Sequence, residues 1–89
     1  MFVRIKKGYT VLKIGQDSVA LFVDGDTVDM RQGIVLNPVA ELLFNELIIG
    51  CDSQELSDKL LSVYDVPKEK AEQDAAAFVK NLSEKGLLE

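Results

Sequence analysis

The chain has 89 residues, ten of them Lys or Arg and fifteen Asp or Glu, for a net charge of -5. That length is one domain on size grounds, and an acidic surface repels phosphate backbones and anionic headgroups, which counts against nucleic acid and membrane as partners. A domain of this size buries roughly 60–70% of its unfolded surface; with 47% hydrophobic residues it can build one core but not a deep enclosed pocket as well.

The N-terminal segment Met1 to Gly8 carries Arg4, Lys6 and Lys7 with no apolar run behind them, so it is not a signal peptide. No run of 18 apolar residues occurs, and no membrane span is expected. Tyr9 to Ile14 is rich in β-branched residues and reads as a strand, Gly15-Gln16-Asp17 as a turn, and Ser18 to Val23 as a second strand. The second strand holds an apolar run, Val19 to Val23, which predicts burial on both faces or cover from a helix. Asp24-Gly25-Asp26 breaks it. Thr27 to Gln32 is ambiguous, and Gly33 to Leu36 reads as a short third strand.

Asn37-Pro38 then opens a helix. Asn accepts from the free amides of the first turn, and Pro suits a position whose N–H has no partner. Val39, Leu42, Leu43 and Leu47 follow at helical spacing, and Gly50 can end the helix. Cys51 is the only cysteine, so no internal disulfide forms; this fits a reducing cytosol, and a small residue at a helix end is read as structural. Asp52 and Glu55 are spaced to cap a second helix reciprocally, with Leu56, Leu60 and Tyr64 as its apolar stripe. Pro67 opens a third helix with Ala71, Ala75, Phe78 and Leu82 on one face. Gly86 ends it, and Leu87 closes back on Leu82. Strands followed by helices predict an α+β domain with helices packed on a small sheet.

The chemistry that is missing narrows the function. There is no histidine, which removes the commonest general base and metal ligand. One thiol without imidazole cannot build a closed zinc site, and no phosphate loop, dinucleotide fingerprint or nucleophile elbow is present. Glu69 and Glu72 lie three apart among Lys68 and Lys70, the pattern of a solvated helix face with local ion pairs. The expectation is a non-catalytic protein that uses no metal and no cofactor.

The segment Gly33-Ile34-Val35-Leu36-Asn37 with its apolar helix ending in Gly50 resembles the PqqD family. So do the run Glu55-Leu56, Leu60 and Tyr64-Asp65-Val66, and the ending Asp74, Phe78, Leu82, Gly86-Leu87-Leu88. The likeness runs from about Tyr9 to the C-terminus. It implies a winged-helix-like fold of three N-terminal antiparallel strands and three helices. It implies a module that binds the leader of a ribosomally made precursor peptide for a modifying enzyme, a radical S-adenosylmethionine enzyme among the expected partners, in pyrroloquinoline quinone or related peptide biosynthesis in the cytoplasm. It also implies a binding mode, in which the leader adds as a strand to the third strand and lies against the third helix. Pro67 and Lys68 stand where Ser or Asp often begins that helix in the family.

That mode names candidate residues. A short strand leading straight into a helix belongs at a sheet edge, where unpaired N–H and C=O groups invite another strand. Gly33 lets a second backbone come close; Ile34, Val35, Leu36 and Asn37 supply backbone pairing and alternate side chains. Lys70 and Asp74 flank the groove on the third helix, and Phe78, facing the core, borders it. Two other readings stand beside this one. A winged-helix regulator of DNA needs a basic reading helix, but Ser53 to Tyr64 offers only Lys59 against Glu55 and Asp58. A structural adaptor would dock on an enzyme without touching a peptide.

Overall fold

The computed structural model describes residues 2–89, with side chains at all of these except 27 and 29–32. Met1, the start of the segment read above as no signal peptide, lies outside them. The elements in chain order are β1 (Phe2–Val3), β2 (Tyr9–Ile14), β3 (Asp17–Asp24), β4 (Thr27–Leu36), α1 (Pro38–Ile49), β5 (Cys51–Asp52), α2 (Ser53–Val63) and α3 (Lys68–Glu84). The α+β arrangement expected from the sequence is the one observed.

β2, β3 and β4 form an antiparallel meander in chain order. The third strand is ten residues long, not the short Gly33–Leu36 expected. Its pairing with β3 is interrupted. Ala20 opposes Ile34, yet Phe22 opposes Asp29, so the residues between 29 and 34 bulge against Leu21 alone. A bulge breaks the alternation of side chains that marks a strand in sequence, which is why 27–32 looked ambiguous.

The helices form where their caps dictate. The Asn37 side chain accepts a 2.8 Å bond from the Ala40 N–H. Asp52 and Glu55 make the reciprocal capping box, Asp52 accepting from the Glu55 N–H at 2.7 Å and Glu55 from the Asp52 N–H at 3.3 Å. α3 starts after Pro67 without a side-chain cap. It ends as a Schellman turn: the Gly86 N–H donates to the Ser83 carbonyl and the Leu87 N–H to the Leu82 carbonyl, both at 3.0 Å. Tyr64 falls just beyond α2 as its C-cap, where it still packs, partly buried, against the core that Leu56 and Leu60 enter.

A second, two-stranded sheet was not expected. β1 pairs with β5, so Cys51 sits in a strand and not at a helix end. The N-terminal segment is stitched in further by Ile5 N–H to the Leu47 carbonyl (2.9 Å) and Lys6 N–H to the Leu87 carbonyl (2.8 Å). Gly50 makes the link possible. It has φ of 100°, and a Cβ there would collide with the Phe2 ring.

The core lies between the meander and the helices. Phe44 is fully buried with Leu36, Leu43, Leu47, Leu56 and Leu82 around it in one cluster. Each such side chain contributes about 1.5–3 kcal/mol on burial. Ala71 and Ala75 are buried where α3 packs on α2. Tyr9 joins sheet to helix, its ring edge-on to Phe22 at 5.3 Å and to Phe44 at 6.3 Å.

Candidate functional site

On α3, Asp74, Ala77, Phe78, Asn81 and Leu82 recur every three or four residues, and the C-cap Lys85 continues the series. That spacing puts them on one face. The face forms one wall of a groove of about 400 Å³. The opposite side is the end of β4, Ile34 to Leu36, with Asn37; the first turns of α1 add Val39, Ala40 and Leu43. The lining is an apolar floor with Asp74, Asn81 and Lys85 among its polar members, the usual composition of a peptide or ligand cleft.

β4 is an edge strand. β3 is its only partner among the described residues, so its far side carries N–H and C=O groups with no strand beside them. Side chains alternate across this edge. Leu36 is 2% exposed and belongs to the core, while Val35 is 71% exposed. The backbone at the groove is therefore open to pairing while the strand is anchored through Leu36.

Of the residues named from sequence, the groove brings together Ile34, Val35, Leu36, Asn37, Asp74 and Phe78. Gly33 and Lys70 are not in its lining. Gly33 lies where the register shift meets the paired end of β4. Lys70 sits one turn before Asp74 and pairs with it at 3.4 Å, so it acts on the groove only through that carboxylate. Phe78 is half-buried, packing against the core from the groove side. Asn37 spends its side-chain oxygen on the α1 cap, which leaves its amide N–H groups for anything in the groove. Ala77, Asn81 and Lys85 were missed, although helical spacing from Asp74 leads straight to them. Val39 and Leu43 were read only as helix-forming apolar residues, and Ala40 was not singled out.

The α1 wall is held in place by a polar tie. The buried Ser18 hydroxyl donates a 2.7 Å bond to Glu41 on α1, and Lys13 on β2 lies 3.4 Å from the same carboxylate oxygen. The Ser18 bond is the main influence holding the Glu41 carboxyl below its usual pKa, with Lys13 helping against partial desolvation. Elsewhere, burial pushes the Cys51 thiol up, reinforced by Glu55, Glu46 and Asp52. Lys59, the one cation of α2, is 3.5 Å from Glu46, so it is already committed within the fold. Among the described residues no three His, Cys, Asp or Glu side chains come together as a metal site, and no helix is long and apolar enough to cross a membrane.

Known proteins share this architecture. The structure of TbiB1 in complex with the TbiA(beta) leader peptide superposes with a TM-score of 0.72 at 24% identity, over 97% of this chain and 94% of that one. Lasso peptide synthetase B1 complexed with the leader peptide gives 0.69 at 26% identity, over 98% and 96%. No match was found among curated proteins. The family model for coenzyme PQQ synthesis protein D matches residues 19–88, which include most of β3, all of β4 and the three helices, and so every residue that lines the groove. The chain belongs to the PqqD family.

Proposed function

We propose that this chain is a non-catalytic recognition module that binds the leader of a ribosomally synthesised precursor peptide and presents it to a modifying enzyme. The leader adds as a strand to the open edge of β4 and lays alternate side chains into the groove against α3. Backbone pairing supplies affinity, and the groove supplies selectivity. The observation that carries this reading is the juxtaposition of the unpaired β4 edge with the apolar α3 face. Membership of the PqqD family and the leader-bound states of the two similar structures support it. The enzyme is of the radical S-adenosylmethionine class, as in pyrroloquinoline quinone or related peptide biosynthesis, and the setting is the cytoplasm, where the unpaired Cys51 stays reduced.

The test is a titration with the leader of the precursor encoded beside it, run against duplex DNA as control. Leader binds and DNA does not. Ala77→Trp fills the groove from an exposed helix position and weakens the leader by about tenfold or more, a difference of about 1.4 kcal/mol, with the unfolding midpoint unchanged. Leader affinity that survives this change, or DNA binding of equal strength, contradicts the proposal. The protein alone, with precursor and common cofactors, gives no modified peptide.

A further inference from the structure

The charge of the chain is segregated. Its first thirteen residues hold four of the ten basic side chains and none of the fifteen acidic ones. The fold gathers three of those four, Arg4, Lys6 and Lys7, around a second cavity of about 300 Å³, walled on its other side by Ile48 and Ile49 at the end of α1. Arg4 is already paired, 2.8 Å from Glu89. Lys6 and Lys7 are exposed and have no ion-pair partner among the described residues.

The apolar side of this cavity is equally unspent. Ile49 is 75% exposed and Ile48 37%, and the Phe2 ring, 64% exposed, lies against the neighbouring Gly50. Clustered exposed apolar residues rimmed by charge mark interaction sites. Leaving these apolar side chains in water contributes nothing to stability. The β1–β5 pairing and the Ile5 and Lys6 backbone bonds fix its shape, so it is built before any partner arrives. It shares no lining residue with the leader groove, and both can be filled at once.

We propose that this cavity is a second docking site, and that it takes an acidic segment of a partner protein carrying one large apolar side chain. The apolar side chain sits on Ile48 and Ile49, and flanking Asp or Glu carboxylates meet Lys6 and Lys7. Charge complementarity selects this occupant. The rest of the chain carries all fifteen acidic side chains against six basic ones and on balance repels an acidic segment, so the basic end orients the encounter. An anionic lipid surface offers the same charge but must also approach that acidic remainder.

The test is selection of peptides from a displayed random library on the whole protein, followed by affinity measurement on variants. One class of selected peptides carries two or more acidic residues beside a large apolar one. Its binding falls about tenfold in Lys6→Glu/Lys7→Glu and in Ile49→Ser, each still folded by thermal unfolding. It is unchanged in Ala77→Trp. It is also nearly unchanged in Lys68→Glu/Lys80→Glu, a double reversal on exposed α3 positions with the same net charge. The proposal is overturned if every selected peptide depends on the groove, if acidic peptides lose affinity equally with both double reversals, or if Ile49→Ser has no effect. Phosphatidylserine vesicles that bind through Lys6, Lys7 and Ile49 where no peptide does would overturn it in favour of a membrane.

Discussion

The Ser18 hydroxyl, fully buried in β3, donates a 2.7 Å hydrogen bond to Glu41, one turn into α1. This bond and the nearby Lys13 ammonium tie the sheet to the helix that walls the groove. The folded state holds the Glu41 carboxyl below its ordinary value of 4.5. The tie therefore stabilises the fold above that value and is lost as pH falls through the lower, folded-state pKa. Between about pH 5 and pH 3, the wild type loses more stability than Glu41→Gln, whose amide does not titrate. Thermal unfolding of both proteins across that range checks this. Parallel curves contradict it.

Phe44 is the largest fully buried side chain. Phe44→Ala costs about 3–5 kcal/mol, a large fraction of the about 5–15 kcal/mol that holds a domain folded. In the wall of the second cavity, by contrast, Ile49→Ser changes stability by less than about 0.5 kcal/mol, as exposed substitutions do. Urea unfolding of the two variants separates them.

Gly50→Ala places a side chain at φ of 100° and drives its Cβ into the Phe2 ring. Strain of this kind costs about 1–3 kcal/mol. The expected loss falls in the β1–β5 pair first, so amide exchange at Val3 and Cys51 accelerates before the α2–α3 core is affected. An alanine variant as stable as the wild type, with unchanged exchange there, contradicts the packing account.

Cys51 is buried, and desolvation together with Glu55, Glu46 and Asp52 raises its thiol pKa. Since the thiolate is the reactive form, alkylation at neutral pH is slow in the folded protein and fast in denaturant. Rapid stoichiometric labelling of the native state would mean that the β1–β5 seam opens readily.

The helices were legible because each carries its own punctuation. Asn37-Pro38, the Asp52–Glu55 box and the Gly86 ending need no tertiary context, and each forms as its residues dictate. β4 was only half legible. Its bulge shifts register between Ala20 and Phe22, and period-two patterning fails across such a shift. β1 and β5 are two residues each, too short for any periodicity, and they exist because the N-terminal segment meets the α1–α2 junction across Gly50. The buried face of α1 was blurred for a different reason. Nearly every residue of that helix is apolar, so Phe44 did not stand out from Leu42 or Ile49. The groove residues Ile34 to Asn37, Asp74 and Phe78 came from family resemblance, whereas Ala77, Asn81 and Lys85 needed the helix face to be followed to its end.

The open edge of β4 supplies the main affinity in the proposed mode. Proline removes a backbone donor, so at least one of Ile34→Pro, Val35→Pro and Leu36→Pro weakens leader binding by about 1–3 kcal/mol. Leu36 is also core, and its variant is compared at matched folded fraction. Lys70→Glu removes the partner of Asp74 and acts more mildly, since exposed ion pairs are worth about 0–1 kcal/mol.

The most direct measurement is an isotope-shift titration of the labelled protein with the leader of its precursor. Strand addition predicts that the perturbed amides cluster at Ile34 to Asn37 and along the Asp74, Ala77, Phe78, Asn81 face of α3, with new exchange protection on the β4 edge. Shifts centred on α2 that leave Ile34 to Asn37 unchanged would contradict it.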